Sequence, residues 1–265
     1  DIGIVVDGGE KFYDFMPVIE HRLVTVPMMH LVTLGSGGGS VASYDQMYKT
    51  VKCGPESAGS DPGPACYDRG GMKATVTDAD LLLGYLDPDN YANGHIKLNP
   101  KRAKQAIEDQ LCDELDVELI EACKLMKSTV DADMANGVAT ELRAFGYEPE
   151  QFTLLTYGGN GPLHACGIAN KLGIDKILAP PFASVFSACG AGNLNQMHIH
   201  EMSTYTVLFH SGTKTMLTDY AKFNGMVEEL ERRGREDLLR QGMDPKDIKY
   251  RLELDMRYGN QRVQT

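Results

Sequence analysis

Apolar residues recur at three- and four-residue steps through Ile120, Cys123, Met126, Val130, Met134, Val138, Leu142 and Phe145, and the run stops at Gly146. That spacing keeps one face of a long helix apolar, and glycine closes helices because it enters the left-handed region without a Cβ clash. A shorter helix is predicted over residues 100–111. Asn99 would be its N-cap and Pro100 its first residue, where a missing N–H costs nothing. After the long helix the pattern shortens. Residues 152–157 read as a strand ending at Gly158-Gly159-Asn160-Gly161, residues 163–172 as a helix behind Pro162, and residues 176–179 as a second strand before Pro180-Pro181. Such alternation of strand and helix marks an α/β fold. The small-residue stretch 183–192 is predicted as a tightly packed helix. Residues 213–241 are predicted as a charged one, whose Glu228-Glu229-Leu230-Glu231-Arg232-Arg233 run suits a solvated face.

The two ends read differently. Residues 1–45 suggest short strands, with a turn at Asp7-Gly8-Gly9 and a last apolar run at Leu31-Val32-Thr33-Leu34. Near the other end, Ile248, Tyr250, Leu252, Leu254, Met256 and Tyr258 alternate with charged residues, which predicts a long strand with one buried face. Such a strand needs neighbours. With no initial Met and an opening already inside a strand, the chain is expected to be a piece of a longer polypeptide. Residues 53–80 carry eight glycines and prolines (Gly54, Pro55, Gly59, Pro62, Gly63, Pro64, Gly70, Gly71) and no hydrophobic period. A segment of that length without regular structure is usually functional, so an ordered site loop is predicted.

Composition narrows the function. The 265 residues are 42% hydrophobic, enough for one large domain or two small ones, and the net charge is -11. An acidic chain lacks the clustered cations that displace counterions from a nucleic acid. It can still bind a nucleotide, through backbone amides and a metal ion. No apolar run reaches the roughly 20 residues that cross a bilayer, and no signal peptide is evident. The six cysteines include no C-x-x-C pair. Reduced, structural thiols in a cytoplasmic protein are therefore expected.

Two glycine-rich turns carry the candidate chemistry. Gly158, Gly159 and Gly161 lie between a strand and a helix, where bare backbone N–H groups can approach a phosphate. Gly35, Gly37, Gly38 and Gly39 follow another apolar run. The plainer readings are a tight turn for the first and a mobile hairpin loop for the second. Thr75-Val76-Thr77-Asp78-Ala79-Asp80 holds two carboxylates at i and i+2, which share a face on a strand. Asp78 could instead cap a helix through Leu81-Leu82-Leu83, or contact magnesium. His164, one turn into its helix, could face phosphate or substrate, or bond to a neighbouring segment. His198-Ile199-His200 would place two imidazoles on one side of a strand, but no third metal ligand is evident in the sequence.

In order along the chain, these motifs resemble the hydantoinase A/oxoprolinase family, and within it the nucleotide-binding subunits of acetone and acetophenone carboxylases. Leu34-Gly35-Ser36-Gly37-Gly38-Gly39-Ser40 matches the family's G-A-G-G-G-S. The long run Gly54-Pro55-Glu56-Ser57-Ala58-Gly59-Ser60-Asp61-Pro62-Gly63-Pro64-Ala65-Cys66-Tyr67 is the most specific match. Thr75 to Asp80, Leu83-Gly84-Tyr85-Leu86-Asp87-Pro88, and residues 157–165 (family F-G-G-A-G-P-L-H-A) come next. Ser36 and Asn160 depart from the family, each replacing alanine, and Asn160 adds a hydrogen-bonding group. Asp1-Ile2-Gly3-Ile4 is similar to the residues directly after the family's Gly-Gly-Thr-Ser phosphate motif. The likeness covers residues 1–200 well.

The resemblance implies an α/β, actin/hexokinase-like (ribonuclease-H-like) ATPase lobe, a fragment of a two-lobed chain. Residues 1–200 would form the second lobe, with the glycine loops and an inserted loop at 53–80, and residues 201–265 would begin a C-terminal helix-plus-strand α+β region. The first lobe would come from elsewhere in the chain. Gly158, Gly159 and Gly161, with Asn160, would lie against the adenosine side of ATP, and Gly35, Gly37, Gly38 and Gly39 would line the cleft or a subunit contact. Asp78 and His164 are the candidate catalytic residues, with Mg2+ bridging the phosphates. The implied activity is that of a ketone carboxylase subunit using ATP and bicarbonate beside a hydantoinase B-like partner subunit. ATP-driven hydrolysis of a cyclic amide, or a non-catalytic scaffold, are the alternatives.

Overall fold

The computed structural model describes residues 1–259 apart from 7, 8, 11, 12, 15, 20 and 25–27. The chain divides into two compact units, Asp1–Asn193 and Leu194–Thr265. The first begins with short strands: β1 (Val5–Val6), β2 (Gly9–Glu10), β3 (Tyr13–Asp14), β4 (Val18–Ile19), β5 (Arg22–Leu23) and β6 (Met28–Met29). These pair antiparallel as β1 with β2, β3 with β6, and β4 with β5. The turn expected at Asp7-Gly8-Gly9 falls largely outside the described residues. The apolar run at residues 31–34 forms no strand, only a bridge from Val32 to Ile2.

A longer antiparallel pair comes next, β7 (Ser40–Asp45) and β8 (Thr50–Ser57), with a register shift between Ser40 and Ala42. Residues 53–57, expected in the site loop, thus belong to a strand, and the irregular segment is shorter than expected. It ends at α1 (Val76–Leu82), whose N-cap is Thr75 rather than Asp78. Thr75 and Asp78 form a reciprocal capping box, so two otherwise orphaned N–H groups are satisfied. Helix α2 (Pro100–Ile107) opens at Asn99, whose side chain accepts from Lys101 N, and runs on through a π-helical segment (Glu108–Cys112) into α3 (Asp113–Leu115).

Helix α4 (Leu119–Ala144) is the centre of this unit. Cys123, Met126 and Val130 pack with Val51, Cys53, Val76, Ile107 and Leu111 in the main core, and Ala135 joins Ile168, Ala169 and Leu172 in a second cluster. Gly146 stands just past the helix at φ +80°, the left-handed conformation predicted for its end. Next come β9 (Leu154–Leu155), α5 (Gly161–Leu172) and β10 (Ile177–Leu178). The two strands pair parallel, so α5 is their crossover, and α5 packs on α4. Helix α6 (Phe186–Asn193) buries none of its residues, contrary to the tight packing expected.

The second unit holds a hairpin, β11 (Phe209–His210) with β12 (Thr215–Met216), and helix α7 (Ala221–Arg240). Arg232 and Arg233 both pair with Glu229, which makes the charged run a solvated ladder as predicted. The alternating segment 248–258 forms no strand; Tyr250, Leu252, Leu254 and Met256 are each about half exposed. Alternation supplies one apolar face, but a strand also needs a neighbouring strand to complete its ladder, and no strand among the described residues pairs with this segment.

Candidate functional site

The two glycine-rich turns meet. Gly38 O accepts from Thr77 N at 2.8 Å and from Thr77 Oγ1 at 2.9 Å, which ties the 35–40 loop to the first turn of α1. A Cβ on Gly38 would sit 2.6 Å from Thr77 Oγ1 and 2.9 Å from Asn160 Oδ1. No larger residue allows this approach. Gly158 supplies the positive φ, +83°, that turns the chain out of β9. Gly161 leaves room for Thr156 Oγ1, which a Cβ would meet at 2.8 Å. Beside Gly37 and Gly159 a Cβ would find nothing within 4 Å, so both backbones border open space.

Under these turns lies a buried charged cluster. His164 has no exposed surface, and its Nδ1 is 2.6 Å from Asp131 Oδ1 on α4. Its Nε2 is 3.1 Å from the Asn160 side-chain amide and 3.5 Å from Asp80 Oδ2 on α1. Lys127 donates to Leu163 O at 2.9 Å, lies 3.6 Å from Asp80 Oδ1, and sits over the Tyr85 ring at 4.8 Å. Helices α1, α4 and α5 each supply part of the cluster. Gly167 is what lets Asp131 reach α5, since a Cβ there would come within 1.9 Å of Asp131 Oδ2.

Charge balance sets the protonation of His164. Burial is the largest influence and pulls the imidazole pKa down. The hydrogen bond to Asp131, together with Asp80, outweighs burial and raises it above the ordinary value of 6.5. The imidazole and Lys127, 3.2 Å apart, together face two carboxylates, and such partners are what let buried charges persist. The Asn160 amide nitrogen, Nδ2, is the atom 3.1 Å from Nε2. His164 in this way fixes Asn160, the residue that touches the Gly38 loop.

Asp80 stands out because neither oxygen has a hydrogen-bond partner, although the residue is fully buried. Buried carboxylates are normally saturated with donors. Asp78 is saturated: it accepts from Thr75 N at 2.9 Å, Thr75 Oγ1 at 2.8 Å, Ala65 N at 3.3 Å and Cys66 N at 2.7 Å. Of the pair in Thr75-Val76-Thr77-Asp78-Ala79-Asp80, Asp78 shapes the loop, and Asp80 meets only the longer ion pairs to His164 and Lys127.

Gly38, Asn160, Gly161 and His164 therefore converge, with Gly37 and Gly159 alongside. Gly39 packs by Ser57, whose Oγ a Cβ would meet at 2.8 Å. Gly35 lies elsewhere, against Pro55, in a cleft of about 420 Å³ that it shares with Ser36, Cys53 and Asp133. Sequence reasoning passed over Lys127 and Asp131. Their signal was two charges, four residues apart, among the apolar positions Met126, Val130 and Met134. All six cysteines are free; burial pushes the thiols of Cys53 and Cys123 up to about 12.

The profile of the hydantoinase/oxoprolinase family matches residues 1–199. The chain belongs to this family. Among curated relatives, the acetophenone carboxylase gamma subunit of Aromatoleum aromaticum is 41% identical over 98% of this chain and 35% of its own length. Two solved relatives have the same architecture. The ATP-dependent caprolactamase of Pseudomonas jessenii superposes with a TM-score of 0.72 at 28% identity, covering 95% of this chain and 36% of that one. Nucleotide-free acetone carboxylase gives 0.68 at 26%, covering 97% and 36%. The chain thus spans about a third of the relatives it matches. These relatives are two carboxylases and a caprolactamase, and no helix among the described residues is long and apolar enough to cross a membrane.

Proposed function

We propose that this chain is the second nucleotide-clamping lobe of an ATP-dependent ketone carboxylase subunit with an actin/hexokinase-like core. The observation that carries the reading is the meeting of the Gly38 and Asn160 turns above Asp80, a buried carboxylate with neither oxygen hydrogen-bonded. Residues 1–200 would form the lobe and residues 201–265 would begin the next region. Gly158, Gly159 and Gly161 would lie along the adenosine side, and Gly37 to Gly39 would border the phosphates, where bare backbone allows close approach. Asp80 would be the carboxylate nearest a magnesium ion, although Lys127 and His164 already face its two oxygens at 3.6 and 3.5 Å. When bound, the ion would neutralise phosphate charge.

The chain's own residues have defined tasks in this scheme. Asn160 would hydrogen-bond nucleotide or substrate, and His164, held by Asp131, would fix its side chain. Lys127 would balance Asp80 until a cation arrives. Phosphorylation of bicarbonate, the ketone enolate or both would convert a poor leaving group into a good one, with positioning as the main catalytic contribution. The identity to acetophenone carboxylase gamma favours a ketone. The fit to caprolactamase favours a second reading, in which the same lobe drives hydrolysis of a cyclic amide. Either way a hydantoinase B-like subunit would complete the enzyme.

The test is ATP consumption by the full-length complex across acetone, acetophenone, hydantoin and 5-oxoproline, with and without bicarbonate. Stimulation by a ketone that depends on bicarbonate is expected. Stimulation by a cyclic amide without bicarbonate would replace the first reading with the second. Silence with all four would leave a different substrate or a scaffold.

A further inference from the structure

His198-Ile199-His200, which lacked a third partner in the sequence, finds one in α7. One ligand atom from each of His198, His200 and Asp237 lies within 4.8 Å of the others. His200 Nε2 is 3.6 Å from Asp237 Oδ2, too long for a hydrogen bond. It is buried and has no hydrogen-bond partner. The two imidazoles stack, with centroids 6.2 Å apart and planes 26° off parallel, as i and i+2 residues of an extended segment do. Gln241 Oε1, one turn beyond Asp237, is 3.1 Å from His198 Nε2 and orients that ring. Gly234, one turn before Asp237, leaves the ring of His200 against the helix: a Cβ there would lie 3.4 Å from its Cδ2.

We propose that His198, His200 and Asp237 form a site for a divalent transition metal of the zinc class. Two imidazoles and one carboxylate are the donors that zinc, cobalt and ferrous iron accept, and are a poor set for magnesium or calcium, which require oxygen. Metal bonds of about 2.0–2.2 Å from a common centre bring ligand atoms roughly 3.3–3.6 Å apart, so the widest pair, within 4.8 Å, closes by at most about 1.2–1.5 Å on an ion. Three protein ligands leave a fourth position for water or substrate, the pattern of reactive rather than structural zinc sites. All three residues belong to the second compact unit, so the site is separate from the glycine-turn cluster and does not depend on the nucleotide reading. His200 Nε2, orphaned without a cation, gains its partner with one.

The experiment uses the full-length subunit, stripped with a chelator and titrated with Co2+ while its visible d–d absorption is followed, then challenged with Zn2+. One equivalent of Co2+ with imidazole-type bands, displaced by Zn2+, is expected. His200→Gln and the isosteric Asp237→Asn should each lose that equivalent or weaken it by more than about tenfold, a free-energy change of about 1.4 kcal/mol. Circular dichroism of each variant reports folding independently. Unchanged stoichiometry and affinity in both folded variants would overturn the site, as would a wild-type subunit that binds neither ion at this position.

Discussion

Gly167→Ala isolates the packing that holds the buried cluster together. Helix propensity alone predicts a gain of about 1 kcal/mol from this change. The geometry predicts the opposite sign, because the new methyl would lie 1.9 Å from Asp131 Oδ2 and 2.5 Å from its Cγ. Both atoms are covalently fixed to α4, so the carboxylate must swing away and lose its 2.6 Å bond to His164. Breaking one partner out of a buried pair costs about 3–5 kcal/mol, and subtracting the propensity gain leaves a net loss of about 2–4 kcal/mol. For a unit of this size the melting temperature falls by at least about 4 °C. Thermal unfolding of the full-length subunit, as wild type, Gly167→Ala, Asp131→Ala and the double variant, measures it. In the Asp131→Ala background the clash is gone, and Gly167→Ala becomes neutral or mildly stabilising. A single variant as stable as wild type would refute the reasoning, and so would an equal penalty in both backgrounds.

The two carboxylates of α1 separate by assay. Asp78→Ala leaves the Thr75, Ala65 and Cys66 amides without acceptors and costs at least about 3 kcal/mol by denaturant unfolding. Asp80→Asn loses no close hydrogen bond but removes the countercharge facing Lys127 and His164, so it also destabilises, and it lowers ATP turnover of the complex by on the order of a hundredfold; full turnover would remove Asp80 from the nucleotide site. His164 has a raised pKa, so its stabilising contribution is fully present below about pH 6.5 and is lost as pH rises through the higher native value. The stability gap between wild type and His164→Gln should therefore narrow toward alkaline pH, and a gap independent of pH would contradict the charged-cluster account. His30 has the same sign, since its bonds to Glu141 at 2.6 Å and Asp14 at 3.0 Å outweigh burial. Cys53, Cys66 and Cys123, buried and with thiols pushed up by desolvation, should resist iodoacetamide in the native protein at mildly alkaline pH, as read by peptide mass mapping. Labelling of any of the three ahead of exposed Cys166 would show that the core opens.

Much of the first unit was legible because its signals are local. Asn99-Pro100 starts a helix through one side-chain bond and one fixed φ; Gly146 ends another through a positive φ; both need only neighbouring residues. The 3.6-residue period placed α4, since an apolar face has to be covered whatever covers it. The glycine turns were visible as turns, and their order along the chain was enough to suggest the family. Local signals misled where a partner was required. Residues 248–258 alternate as a strand does, yet a strand is completed by hydrogen bonds to another segment. Residues 183–192 are small enough to pack closely, but size does not supply a neighbour.

The candidate site shows the same division more sharply. From sequence, Asp78 and Asp80 were two carboxylates of equal standing. The fold separates them, because on a helix residues i and i+2 point in different directions, one toward the 65–66 amides and one toward His164 and Lys127. Asp131 and Gly167 are 36 positions apart in the chain and meaningless as a pair until α4 packs on α5. Asp237 joins His198 and His200 only once α7 lies beside the segment that carries them. Sequence by itself determined the long helix α4, the Asn99 cap, the Gly146 stop and the glycine turns, since these depend on each residue's own backbone preferences and nearest neighbours. Tertiary structure decided which charges are buried together and which oxygens are left unpaired, because those depend on distances between segments that no local preference specifies.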